Sequence, residues 1–329
     1  MKKWFNFETA LLALVLIVAV IALVCLPKGA DTPTMSDKLE QTKQTQTEAE
    51  PTETQEATEP TWMTLPESRE LTAKQAFVYD CQKEEFTFLK GERTETVYPA
   101  SITKLFTAYV ALQYLSPTQE ITAGDALELV GVGSSVAGIE KGDVLSVEML
   151  VQAMLLPSGN DASYILAAEV GRILEKDHTL GAWYAVDAFL EEMNKQAKDL
   201  GLTGTHFTNP DGYHDDNHYT NFKDMAAIGK LVMENETIMR YAKVYKEQVT
   251  FSDGAIKDWE NTNALVNPAS EYYCPIATGL KTGQTPSAGS CLLSSFEKDG
   301  QKYIIGVFGC PEIEDRFEDT LQLLNDTLN

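Results

Sequence analysis

Short strand-like runs stand at both ends of the C-terminal part of this sequence, and helical spacing fills the interval between them. Ala76-Phe-Val-Tyr-Asp80 and Glu85 to Leu89 read as two strands joined by a short turn. Near the other end, Thr278 to Thr285, Ser290 to Phe296 and Tyr303 to Phe308 are strand-like. The last two are separated by Glu297-Lys-Asp-Gly300, and Asp-Gly favours a two-residue hairpin turn. Between these ends, apolar residues recur at helical spacing over Ser101 to Tyr114, Val147 to Leu156, Asp161 to Leu174, Trp183 to Leu200 and Asp224 to Met233. Asp315 to Leu328 reads as a closing helix. A sheet needs its strands side by side, so the two ends must meet. The expected class is α/β, an antiparallel sheet built from strands at both ends of the domain and flanked by helices. No internal repeat is present.

The first 66 residues are of two other kinds. After Lys2 and Lys3, an uninterrupted apolar run of 17 residues extends from Ala10 to Leu26. That length is at the short end of what spans a bilayer, and the preceding lysines place the N-terminus in the cytoplasm. A cleaved signal peptide is the competing reading. The run is long for one, and Pro27-Lys28-Gly29-Ala30 puts a lysine where cleavage needs a small residue, so residues 1–28 are expected to form a membrane anchor. Either reading exports the rest of the chain. Residues 29–66 are rich in Thr, Glu, Gln and Pro and carry few large apolar side chains. Such a stretch buries too little surface to offset its ordering entropy, so a disordered linker is expected there. Residues 67–329 then form the globular domain.

The formal charge of −23 repels phosphate backbones, which argues against a nucleic-acid partner. Beyond Cys25 in the apolar run, Cys81, Cys274, Cys291 and Cys310 show no C-x-x-C pair and no metal-ligand spacing. Buried free thiols are the plain reading, because free cysteine packs like a small hydrophobe, and one disulfide is open to an exported chain.

Three short elements carry chemistry. In Ser101-Ile-Thr-Lys104, positions i and i+3 share a helix face, so the lysine amine reaches the serine hydroxyl. A serine is a poor nucleophile until a base takes its proton, and a lysine serves once burial or a second cation depresses its pKa. Ser158-Gly-Asn160 follows an apolar helix ending at Leu156-Pro157 and precedes another. On a tight turn its two polar side chains can enter one cleft. Lys281-Thr-Gly283 lies within a predicted strand, where the glycine permits close approach of another backbone. Each element is common on its own. Their order, with offsets of 57 and 123 residues, is the informative feature.

With all three in sequence, the chain resembles the low-molecular-weight penicillin-binding proteins, the serine D-Ala-D-Ala carboxypeptidases, from about Ala76 to its C-terminus. Tyr98-Pro-Ala-Ser-Ile-Thr-Lys104 resembles their nucleophile segment, Leu155-Leu-Pro-Ser-Gly-Asn-Asp-Ala162 their second and Thr278-Gly-Leu-Lys-Thr-Gly-Gln-Thr285 their third. Thr205-His-Phe-Thr-Asn-Pro-Asp-Gly212 and His218-Tyr-Thr resemble a loop of the family. The resemblance implies a β-lactamase/DD-peptidase-like fold and hydrolysis of the terminal D-alanine from peptidoglycan stem peptides through an acyl-enzyme on Ser101. By the same resemblance Lys104 is general base, Ser158 relays the proton to the leaving D-alanine, and Asn160 positions Lys104 and substrate. Lys281 and Thr282 hold the terminal carboxylate beside Gly283, and the backbone N–H groups of Ser101 and Gln284 form the oxyanion hole. β-Lactams acylate Ser101, and neither cofactor nor metal is implied. The domain is expected at the extracytoplasmic face of the bacterial membrane, or secreted if the first segment is cleaved.

Gln284 departs from the family, standing where His or Tyr is frequent, although a backbone N–H role tolerates this. Many relatives carry a further β-rich domain and a C-terminal amphipathic helix for which the sequence leaves no room, so anchoring is expected from the N-terminal segment. His214 and His218, four apart in a predicted loop, are read as structural rather than as a metal pair. A class A β-lactamase is the nearest rival, but it needs an E-x-x-L-N segment. The closest match, Leu190-Glu-Glu-Met-Asn194, has leucine in the Glu position. A D,D-endopeptidase uses the same residues. A catalytically dead wall-binding module would not need Ser101, Lys104, Ser158 and Lys281 intact.

Overall fold

A computed structural model describes residues 70–329. The apolar run and the whole of the polar segment after it lie outside the described residues. Within them, no helix is long and apolar enough to cross a membrane.

In chain order the elements are β1 (Gln75–Asp80), β2 (Glu85–Lys90), α1 (Thr103–Tyr114), β3 (Glu120–Thr122), β4 (Val144–Ser146), α2 (Val147–Leu155), α3 (Asn160–Glu175), α4 (Ala182–Asp199), α5 (Phe222–Met233), α6 (Glu236–Ala242), β5 (Lys246–Thr250), β6 (Ile256–Glu260), β7 (Ala277–Thr285), β8 (Gly289–Lys298), β9 (Gln301–Cys310) and α7 (Asp315–Leu328). The main sheet has the order β2-β1-β9-β8-β7 and is antiparallel throughout. Strands from the two ends of the domain therefore do lie side by side, as the sequence pattern requires.

Alternation along each strand sorts the apolar residues onto the two faces. Ala76, Val78, Leu292, Phe296, Ile305 and Val307 pack with Phe317, Leu321 and Leu324 of α7. Phe77, Leu293, Ile304 and Phe308 point the other way, into a larger core shared with α1 to α5. There Phe77, Phe222 and Phe308 form a cluster with ring centroids 5.3–6.4 Å apart. The β8–β9 turn consists of Asp299 and Gly300, both with positive φ (53° and 79°) and flanked by the pair Lys298–Gln301. This two-residue geometry matches the twist of the flanking strands. At the sheet's far side, Asp319 of α7 accepts hydrogen bonds from Ala73 N (2.7 Å) and Thr72 Oγ1 (3.0 Å), tying the start of the domain to its last helix.

The helices follow the expected spacing, with one division. Ser101 to Tyr114 is not a single helix: Ala100–Ile102 form a 3-10 turn that leads into α1. Ser101 thus sits in the tight turn and Lys104 in the first α-turn. The two-stranded β3–β4 sheet, the β5–β6 hairpin and the short α6 are additions to the expected elements. In β5 and β6 only Val249 and Trp259 are buried, so neither strand shows the alternation by which a strand is read from sequence. Cys274, Cys291 and Cys310 are buried free thiols, and Cys81 is a half-buried one.

Candidate active site

The three motifs meet where the 3-10 turn, the end of α2 and strand β7 converge. Lys104 Nζ donates to Ser101 Oγ at 2.7 Å and to the backbone carbonyl of Asp211 at 2.7 Å. Lys104 is completely buried. Burial pushes its amine from 10.5 down to about 8, against the opposing pull of Asp211 and then Asp161. Near neutrality the amine therefore has a neutral fraction large enough to take the Ser101 proton.

Two glycines bring backbone against the nucleophile turn. A Cβ on Gly283 would lie 2.7 Å from Pro99 O, 3.0 Å from Ala100 Cβ and 3.2 Å from Ser101 N. One on Gly212, whose φ is +83°, would lie 1.8 Å from Ala100 O. Ala100 itself has positive φ (48°), so the residue before Ser101 is held in a conformation that L-residues seldom adopt. Ser101 is thereby clamped between β7 and the loop carrying Asp211.

Ser158 also has positive φ (64°) and is buried on the turn between α2 and α3. The turn is pinned from outside. Asn160 N donates to Ser135 O, and the Asp161 carboxylate accepts from the N–H groups of Ala137, Gly138 and Ile139 at 3.0–3.1 Å. Trp259 Nε1 holds the Ala137 carbonyl at 3.0 Å. The β5–β6 hairpin thus supports the loop over the second motif. Asn160 is buried and its Oδ1 has no hydrogen-bond partner. In this arrangement the second bond of Lys104 goes to the Asp211 carbonyl, a contact that motif spacing could not foresee.

On β7, Lys281 is fully buried, and Nζ lies 3.4 Å from both Thr262 Oγ1 and Thr282 Oγ1 and 3.2 Å from Thr282 O. The two threonine hydroxyls bond each other. Burial, then the nearby charges of Lys104 and Arg316, hold the Lys281 amine well below the usual lysine range. Arg316, from α7, reaches the Gly283 carbonyl at 3.5 Å and lies over the Phe317 ring. Gln284 is exposed. Lys104, Lys281 and Arg316 thus bring three basic side chains close together in a strongly acidic chain, a setting that suits a carboxylate.

Thr262, Asp211 and Arg316 were not singled out from the sequence. Asp211 lies in the family-like Asn209-Pro-Asp-Gly212 segment, which is a usable signal, and Arg316 is a cation on the otherwise core-facing side of a predicted helix. Thr262 carries no such signal. His218 is buried in a loop. Its Nδ1 accepts from Thr208 N at 3.2 Å and its Nε2 pairs with Thr103 Oγ1 at 2.8 Å. Burial lowers its pKa to about 3, so the ring is neutral and the donor is Nε2–H. No group of metal ligands forms among the described residues. Asn194 of the Leu190–Asn194 segment pins the Phe207 backbone, at 2.8 Å from its carbonyl and 2.9 Å from its N–H.

Comparison with known proteins places this geometry. Residues 61–312 match the family described as D-alanyl-D-alanine carboxypeptidase. The D-alanyl-D-alanine carboxypeptidase DacF of Bacillus subtilis is 30% identical over 236 residues, covering 70% of this chain and 56% of the relative. That of Streptomyces sp. strain K15 is 31% identical over 234 residues, covering 68% of this chain and 77% of the relative. The chain thus spans little more than half the length of DacF. Among solved structures, the Streptomyces K15 DD-transpeptidase superposes with a TM-score of 0.71 at 26% identity, over 80% of this chain and 99% of that one. Penicillin-binding protein D2 of Listeria monocytogenes, in its ampicillin-bound form, gives 0.64 at 28% identity, over 80% of this chain and 100% of that one.

Proposed function

The chain belongs to the D-alanyl-D-alanine carboxypeptidase family, and on that premise we propose that residues 67–329 are a serine hydrolase that removes the terminal D-alanine from peptidoglycan stem peptides. The observation that carries this reading is the 2.7 Å contact between Ser101 Oγ and a fully buried Lys104 amine.

The steps are those the family resemblance implies, and the Ser101–Lys104 contact supports the first of them. Lys281, Thr282 and Thr262, with the charge of Arg316 behind them, take the terminal carboxylate. This places the last peptide carbonyl over Ser101. Ser101 Oγ attacks the carbonyl carbon as its proton passes to Lys104. Backbone N–H groups of Ser101 and Gln284 stabilise the oxyanion, where preorganised donors lower a barrier most. The intermediate collapses, and the departing D-alanine nitrogen receives the proton through Ser158. Water then attacks the ester and regenerates Ser101. Asn160, with its free Oδ1, has an acceptor to offer a substrate N–H. β-Lactams enter the same reaction by acylating Ser101. The 1–28 segment anchors the domain on the outer side of the membrane and 29–66 is its tether.

The test is mass spectrometry of the protein incubated with diacyl-L-Lys-D-Ala-D-Ala. Loss of one D-alanine, abolished in Ser101→Ala, supports the reading. No release with Ser101 still acylated by penicillin points to an endopeptidase, and rapid penicillin turnover points to a β-lactamase. The DD-transpeptidase among the structural neighbours supports a second reading, in which an amine replaces water as acceptor. A mass increase from an added amino acid such as glycine, in place of simple loss, separates the two.

A further inference from the structure

The acylation scheme leaves the carboxyl of Asp211 without a task, although the carbonyl of the same residue holds Lys104 at 2.7 Å. Asp211 is only 1% exposed. Its Oδ1 accepts from Tyr213 N at 3.1 Å, while Oδ2 is buried with no hydrogen-bond partner. Burial pushes this carboxyl above the usual carboxylate range, while the charge of Lys104 first, and then the Tyr213 N–H and the facing Asn160 side chain, pull it back down; Asn160 Oδ1 is itself without a partner. A half-satisfied buried carboxyl is costly to keep, so its placement asks for a reason.

We propose that the Asp211 carboxylate is a positioning residue for the reaction: it stabilises the ammonium that forms on Lys104 when Ser101 loses its proton, and so sets the pH at which Lys104 works as a base. The proposal rests on the acyl-enzyme reading. In the resting site a neutral Lys104 can accept the Ser101 hydrogen and donate to the Asp211 carbonyl. After transfer it carries three N–H groups and a full charge on a fully buried amine. A counter-charge nearby is worth far more there than at the surface. The proton passes from Ser101 Oγ to Lys104 Nζ and on to the leaving amine, and Asp211 gains and loses none.

The other groups around this pair single out Asp211. Asp161, on α3, faces Lys104 too, but four backbone N–H groups already share its charge: those of Ala137, Gly138, Ile139 and Ala162. Lys281 on β7 repels the ammonium, and Arg316 on α7 faces Lys281 in turn. His218 is neutral. Tyr164, on α3, faces Asp211, and burial keeps its phenol protonated. Asp211 is the leading charge that opposes the effect of burial on Lys104.

The experiment is the pH dependence of Ser101 acylation by penicillin in the full chain, comparing the wild type with Asp211→Asn, which keeps the backbone carbonyl and the side-chain shape. Loss of the carboxylate should move the acid limb of the profile down by about 1 pH unit or more. The plateau rate should fall, because a weaker base remains. An acid limb at the wild-type pH overturns the proposal, even if the rate drops uniformly, since a uniform drop is what a merely structural residue gives. Should the variant fail to fold, NMR of the wild type decides. The Asp211 carboxyl carbon and the Lys104 ε-carbon should share an inflection, and independent titrations overturn the proposal. A wild type that neither takes penicillin nor releases D-alanine sinks the acyl-enzyme reading, while the NMR result still reports on the coupling.

Discussion

Replacing Gly283 with alanine puts a methyl group where β7 presses on the nucleophile turn. The new Cβ would sit 2.7 Å from Pro99 O and 3.0 Å from Ala100 Cβ. Neither neighbour is the loose end of a side chain, and Pro99 O already accepts from Ile102 N at 3.1 Å. Restoring an ordinary contact requires β7 and the turn to part by about 0.7 Å. A misplacement of about 1 Å at a reacting group costs on the order of 100-fold in rate, so about 0.7 Å predicts acylation roughly 10- to 30-fold slower. That is about 1.4–2 kcal/mol on the barrier. Over-packing should also cost about 1–3 kcal/mol of stability, a fall of about 2–10 °C in Tm. The assay is the rate of labelling by a fluorescent penicillin, measured well below Tm, beside a thermal melt. Gly229→Ala is the comparator. Its Cβ would meet the Ile304 side chain, Cδ1 at 3.0 Å and Cγ2 at 3.3 Å, away from the Ser101 turn, and it should acylate within about 2-fold of wild type. A Gly283→Ala protein that acylates at the wild-type rate refutes the reasoning. So does a Gly229→Ala protein that is equally slow.

Lys104→Met should slow acylation by about 100-fold or more while leaving Tm at pH 7 equal or higher, because a buried cation gives way to an apolar chain of similar volume. Lys104 has its folded pKa lowered from 10.5 to about 8, so the unfolded chain binds the extra proton between those values. Wild-type stability should therefore rise by about 3 kcal/mol as pH climbs through that window and carry the full penalty below it, and urea titrations of Lys104→Met should lack that rise. Thr262→Val should weaken binding of peptides ending in a free carboxylate about 10-fold and leave their C-terminal amides unaffected; an equal loss for both would count against Thr262 as part of the carboxylate site. His218→Ala leaves Thr103 and the Thr208 N–H without their partner and should lower stability by about 1–3 kcal/mol in denaturant titrations. Chelator should leave D-alanine release unchanged in the wild type, and a loss on chelation would revive the metal reading of His214 and His218.

Much of the domain is legible in the sequence because its determinants are local. Short strand-like runs at 76–89 and 278–308, helical spacing between them and the Asp299-Gly300 turn each depend on neighbours a few residues apart. The pairing of β1 with β9 is a longer inference, but a forced one, since strands left at the two ends need partners. The serine–lysine contact is legible for the same reason, being a neighbour relation within one turn. The β5–β6 hairpin is not, because a strand that buries one residue in five has no period to detect.

What the sequence by itself determined is the class of fold, the serine–lysine pair proposed as nucleophile and base, and the order of the three motifs around it. What only the tertiary structure decided is the surroundings that tune those groups. Asp211 comes to Lys104 across 107 residues and Arg316 to Gly283 across 33, and Thr262 reaches Lys281 from a separate loop. Spacing along the chain does not encode such meetings. Nor does it set the burial that moves Lys104 toward neutrality, because a pKa responds to whatever the whole fold places within a few ångströms.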